Sequence, residues 1–156
     1  MSQTARQILQ GKTTETLSVD PGLSVFDALT IMAKHDVGSV LVMSGQALLG
    51  IFTERDYARK VALQGRSSRA TAVAELMSQE VLTIAPMRTV EECMAIMTEK
   101  RVRHLPVVEN DSVIGIVSIG DVVKTLIAEQ QTTIKHLHGY IAGELDTESS
   151  PARPPW

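Results

Sequence analysis

Residues 17–56 read LSVDPGLSVFDALTIMAKHDVGSVLVMSGQALLGIFTERD, and residues 82–121 read LTIAPMRTVEECMAIMTEKRVRHLPVVENDSVIGIVSIGD. Shifted by 65 residues, the two stretches align without a gap. Ten of the 40 paired positions are identical: Leu17/Leu82, Pro21/Pro86, Val25/Val90, Ile31/Ile96, Met32/Met97, Val37/Val102, Val42/Val107, Gly50/Gly115, Ile51/Ile116 and Asp56/Asp121. Most other pairs exchange like for like, as in Ser24/Thr89, Leu29/Met94 and Thr53/Ser118. A fixed internal period marks a duplicated structural unit.

Each copy carries the same local signals. An extended stretch (Thr16–Val19; Val81–Ile84) runs into a turn at Pro21 or Pro86. Ser24 and Thr89 sit where a helix N-cap belongs, with Asp27 and Glu92 three residues on. Apolar residues then recur at helical spacing, Val25, Leu29, Ile31 and Met32 in one copy and Val90, Met94 and Met97 in the other. Two β-rich runs follow, Ser39–Met43 with Ala47–Phe52, and His104–Val108 with Ser112–Val117, joined by turn-forming residues. A second helix begins at Glu54 or Ile119. The pattern predicts an α/β protein of tandem β-α-β-β-α repeats. One such unit buries its sheet poorly alone, so the two should pack about a pseudo-two-fold axis.

The expected organisation is a first repeat with lead-in helix over 4–63 and a polar linker over 64–71. A second repeat over 72–130 follows, its own lead-in at Ala72–Met77, then a helix extension over 131–143 and a disordered tail over 144–156.

Composition removes several function classes. Aromatics are only 3%, so the core is aliphatic and stacking platforms for single-stranded nucleic acid are missing. With 15 Lys and Arg against 18 Asp and Glu, phosphate neutralisation along a duplex is disfavoured, and no nucleic-acid partner is expected. One cysteine cannot make an internal disulfide. No apolar run approaches the roughly 20 residues of a membrane span, and the first residues lack the core of a signal peptide. The expectation is a cytoplasmic, reduced location away from membranes.

Each repeat ends its hairpin with Gly-h-h-[Thr/Ser]-x-x-Asp: Gly50-Ile51-Phe52-Thr53-Glu54-Arg55-Asp56 and Gly115-Ile116-Val117-Ser118-Ile119-Gly120-Asp121. With the element order and the strand Val102-Arg103-His104-Leu105-Pro106-Val107-Val108, the chain resembles a pair of CBS domains, a Bateman module, over about residues 4 to 130. The stretches Glu54–Lys60 and Gly65–Arg69 resemble a stand-alone group of small bacterial and plant organellar proteins that are little more than one such module. The resemblance implies a regulatory sensor, not an enzyme, that binds adenosine-containing ligands between the repeats. NAD or AMP is expected first, with ATP, ADP or S-adenosylmethionine as alternatives. It also implies a homodimer through the module helices and a regulated protein partner, in some relatives a thioredoxin-type redox protein.

The residues fit that implication chemically. A carboxylate in a helix's first turn can accept from both ribose hydroxyls, which suits Asp56 and Asp121 to a diol. Thr53 and Ser118 can donate to a phosphate oxygen, helped by the helix N-terminus. Gly120 lets backbone approach a ligand. Val19, Val40, Ile84 and Leu105 are expected to line an apolar adenine pocket. Basic residues concentrate at Arg55–Arg69 and at Lys100, Arg101, Arg103 and His104. In the resemblance, cations at the start of the strand meet phosphate, which points to Arg103 and His104. Gly38 and Ser39 hold the matching places in the first repeat, making the two clefts chemically unequal. Arg55, Thr83, Pro106 and Ile119 complete the expected ligand-binding set. Cys93 is expected as a packed core thiol, and no GxxxxGK[ST] phosphate loop for nucleotide hydrolysis is present.

Overall fold

The structure is a computed structural model that describes residues 2–12 and 16–145, so the tail expected from 144 lies, from 146 on, outside the described residues. Helix α1 (Ala5–Gln10) leads into strand β1 (Ser18–Val19), helix α2 (Val25–His35) and the hairpin β2 (Ser39–Ser44) and β3 (Ala47–Thr53). Helix α3 (Glu54–Asp56) continues as a π-helical stretch, Tyr57–Ala62. A single 3-10 turn, Val73–Glu75, stands where the second lead-in helix was expected. Helix α4 (Val90–Lys100), the hairpin β4 (His104–Glu109) and β5 (Ser112–Ser118), and helix α5 (Ile119–Leu145) complete the chain.

Local sequence explains most of these boundaries. Ser24 accepts from the Asp27 amide and Thr89 from the Glu92 amide, so both long helices start at the expected hydroxyls. Both end on a left-handed residue, Asp36 or Arg101, at matching positions of the repeat. The hairpins share a register shift at the same place, between Val42 and Met43 and between Val107 and Val108. β1 pairs in parallel with β2, Val19 opposite Val42. Its counterpart in the second repeat is one bridge, Ile84 to Val107, again 65 residues on.

Each repeat has its own core, and each core borrows from the other repeat's lead-in. Val25, Met32, Val40 and Phe52 of the first repeat pack with Val73 and Leu76, while Val90, Met97, Leu105 and Val117 of the second pack with Ala5 and Ile8. Thr4 bridges Thr89, and Ala72 bridges Ser24. The lead-ins match at 72 − 4 = 68 residues rather than 65, so each crosses to the opposite repeat in the same way. Helix α1, at the start of the first repeat's stretch of chain, therefore packs on the second repeat's core. Leu41, Ile51 and Ile116 form a third cluster that seals the two sheets together.

The segment 64–71 is tied down more firmly than a linker. Thr71 is buried and donates to the Ser67 carbonyl at 2.7 Å. The amides of Val25 and Phe26 donate to the carbonyls of Thr71 and Ser68. Arg69 lies over the Phe26 ring at 3.9 Å, and Arg66 pairs with Glu75 at 3.0 Å.

Candidate functional site

Asp56 and Asp121 occupy the third position of their helices. Asp56 Oδ2 accepts from the Thr53 amide (3.0 Å) and hydroxyl (3.1 Å), and the Asp56 amide donates back to Thr53 Oγ1 at 3.1 Å. Asp121 Oδ2 accepts from the Ser118 amide at 2.8 Å, and the Asp121 amide donates to Ser118 Oγ at 3.2 Å. Both carboxylates thus cap their own helices, which fixes their rotamers. The first helical amides, Glu54 and Ile119, donate to the strand-start carbonyls of Gly38 and Arg103 at 3.1 and 2.8 Å.

The surroundings of the two carboxylates differ. Asp56 lies in a cleft of about 640 Å³ between the repeats, a size suited to a nucleotide. Thr53, Arg55, Asp56 and Arg59 form one side, and Arg101, Val102, Arg103 and His104 another, with Ile51, Val81, Leu82 and Ile119 as apolar surface. Four arginines face three carboxylates there, those of Glu54, Asp56 and Glu80. Lys60 pairs with Asp56 Oδ1 at 3.2 Å from the next turn of the same helix. Asp121 lines a smaller depression of about 390 Å³ under α1, with Gln7, Ile8, Lys12 and Lys124. Lys12 Nζ stands 2.8 Å from Asp121 Oδ2.

Burial would raise the Asp121 carboxyl, but Lys12 and the hydrogen bonds from Ser118 outweigh it and hold it below the ordinary range. Burial pushes His104 below its usual value, and the charges of Lys12 and Arg103 add to that against the pull of Asp121. A Cβ on Gly38 would lie 3.5 Å from His104 Nε2, so the imidazole rests on the glycine.

The expected residues divide accordingly. Thr53, Arg55, Asp56, Arg103, His104, Ile119 and Gly38 line the first cleft. Val19, Val40, Ile84 and Leu105, expected to contact adenine, are buried in the two cores. Val40 and Leu105 sit on strands buried on both faces, and Ile84 is held against β4 by its bridge to Val107. Pro106 and Ser39 are buried as well, and Thr83 is exposed beside Leu82. Ser118 and Asp121 are hydrogen-bonded to each other and are not among the residues lining the first cleft, and exposed Gly120 borders a shallow groove along α5. Arg59 and Arg101 stood out only as members of the two basic clusters, and Glu80 and Leu82 were missed. Gly50 was the available signal, since a Cβ there would collide with Ser78 and so brings residues 78–82 to the cleft. Cys93 is buried in the second core, and burial raises its thiol, as a packed core residue requires.

Among the described residues there is no helix long and apolar enough to cross a membrane and no group of metal-binding side chains. The family model of the CBS domain matches residues 5–63 and 73–128. The mitochondrial CBS domain-containing protein CBSX3 of Arabidopsis thaliana is 43% identical over 125 residues, which cover 77% of this chain and 61% of that protein, so the chain spans under two thirds of that relative. A solved structure of a protein with CBS domains from Burkholderia ambifaria is 47% identical with a TM-score of 0.77, over 81% of this chain and 96% of that one. A CBS domain pair crystallised with 5′-methylthioadenosine and S-adenosyl-L-methionine shares the fold at 22% identity and a TM-score of 0.73, over 83% and 99% of the two chains.

Proposed function

The chain belongs to the CBS domain family, with two CBS domains in one polypeptide, and on that premise we propose that it is a regulatory module, without catalysis, that binds a phosphate-bearing adenosine ligand in the first cleft. The observation that carries this reading is the arrangement of Asp56 and Thr53 across the cleft from Arg101, Arg103 and His104. The carboxylate suits a ribose diol. The arginines suit phosphate, whose oxygens match the planar guanidinium fork. Leu82, Val81 and Ile119 offer the base apolar surface. AMP and NAD are the first candidates and ADP and ATP the next. S-adenosylmethionine carries a sulfonium in place of phosphate and offers the arginines only its single α-carboxylate. A ligand that bridges the repeats acts as a signal by binding one arrangement of them better than another.

The test is a thermal-shift and calorimetry panel of these five ligands. A ligand at 100 times its dissociation constant stabilises the fold by about 2.7 kcal/mol, or roughly 5–10 °C for a chain this size. Arg103→Ala should weaken the phosphate-bearing ligands at least about tenfold, since hydrogen bonds to charged groups are worth about 1.5–3 kcal/mol. Asp56→Asn should weaken all of them. A panel without any shift overturns the reading.

A separate feature favours self-association. Helix α5 runs for 27 residues, about 40 Å at the helical rise, and residues 130–138 are all exposed. Val123, Ile127, Ile134 and Leu137 form an exposed apolar stripe along it. We infer that this stripe is the homodimer surface.

A further inference from the structure

The two carboxylates are neutralised from different places. Asp56 pairs with Lys60 of its own helix, whereas Asp121 pairs with Lys12, which follows α1. The repeat equivalent of Lys60 is Thr125 (60 + 65), which cannot do the same for Asp121. The lead-in equivalent of Lys12 is Glu80 (12 + 68), which lines the first cleft and cannot pair with Asp56. Lys12 also donates to the Ile116 carbonyl at 2.8 Å, and its half-buried side chain spans from the end of α1 to both acceptors. The segment that carries it is anchored: Ile8 lies in the second core, Leu9 packs over Gly115, and the Ala5 amide donates to the Arg88 carbonyl at 2.8 Å.

We propose that Lys12 is a built-in occupant of the second cleft, so that each chain takes one nucleotide, at Asp56, and a second enters only when Lys12 lets go of Asp121. The inference rests on the nucleotide reading of the first cleft. Lys60 reaches Asp56 from the same helix and leaves the first cleft open, whereas Lys12 comes from the end of α1 across to Asp121 Oδ2 and so bridges the two walls of the depression. Occupancy of the second cleft and docking of the Lys12 segment are then mutually exclusive. By linkage the effect is reciprocal: whatever pulls residues 11 and 12 away from α5 opens the site, and a ligand in the site frees those residues.

Calorimetric titration of the full chain with AMP and with ATP tests this, comparing wild type, Lys12→Met, Lys12→Arg and Asp56→Asn. Methionine keeps the apolar stem and removes the charge, while arginine keeps the charge. Wild type and Lys12→Arg should show one site per chain, removed or at least tenfold weakened by Asp56→Asn. Lys12→Met should show two sites, with the new one surviving Asp56→Asn in the double variant. One site in both wild type and Lys12→Met, with Asp56→Asn still effective, overturns the role of Lys12 and leaves the nucleotide reading standing. Two equal sites in wild type overturn it as well. An absence of heat in every variant removes the nucleotide reading, and the inference with it.

Discussion

Gly50 and Gly115 hold the same position in the two repeats, yet the structure sets different costs for adding a methyl group to each. A Cβ on Gly50 would stand 2.7 Å from Met77 Sδ and 2.8 Å from the Ser78 carbonyl oxygen, well inside the 3.4–4 Å of ordinary contact. Met77 can swing away, but Ser78 cannot. Its carbonyl accepts from the Ile51 amide at 3.1 Å and its amide donates to the Ile51 carbonyl at 2.9 Å, the pair of bonds that holds the second lead-in against β3. The three atoms nearest to a Cβ on Gly115 all belong to the Leu9 side chain, with Cδ2 at 2.6 Å and Cδ1 at 2.8 Å, and these are the free ends of a rotatable group. Overpacking that moves backbone costs about 1–3 kcal/mol, and Gly50→Ala should fall in the upper half of that range. Gly115→Ala should cost about 1 kcal/mol or less, because loss of glycine's freedom in the unfolded chain gives back about 0.4–1 kcal/mol. At about 2–4 °C per kcal/mol for this length, urea and thermal melts should separate the two variants by several degrees. Hydrogen exchange should quicken at the Ile51 and Ser78 amides in Gly50→Ala alone. Equal losses, or a larger loss for Gly115→Ala, would refute the claim that a backbone contact at one site and a side-chain contact at the other set these costs.

Three further predictions concern charge and assembly. His104 is held below its ordinary value, first by burial and then by Lys12 and Arg103. The stability gained by keeping it neutral is present above pH 6.5 and drains away as pH falls below that value, where the unfolded chain takes up the proton first. Melting temperature should therefore fall between pH 7.5 and 5.5 and fall less in His104→Gln; parallel curves for the two proteins would refute the assignment. A phosphate beside the imidazole favours its charged form, so affinity for the phosphate-bearing ligand should rise over the same interval in wild type only. For assembly, Ile127→Lys paired with Ile134→Lys should halve the mass seen by light scattering after size exclusion, and an unchanged mass would remove the α5 stripe as the dimer surface.

Much of the architecture was legible because its signals are local. The caps at Ser24 and Thr89 and the hairpin turns each depend on residues within a few positions of one another, and the 65-residue period shows each of them twice. The spacing that sets Thr53 beside Asp56, and Ser118 beside Asp121, was legible for the same reason, but the sequence reading aimed both groups at a ligand, whereas the structure also turns them onto each other as helix caps. What could not be read was the inward or outward direction of Val19, Val40, Ile84 and Leu105. A strand buried on both faces has no alternation to betray which side meets a ligand.

The amino-acid sequence alone determined the repeat, the elements and the two hydroxyl–carboxylate pairs, since these follow from spacing along one chain. Tertiary structure alone decided that each lead-in crosses to the opposite repeat, that Glu80 and Leu82 reach the first cleft, and that Lys12 covers Asp121. The physical reason is sequence separation. Lys12 and Asp121 lie more than 100 residues apart, and only the packing of α1 against β5 and α5 brings an ammonium to that carboxylate.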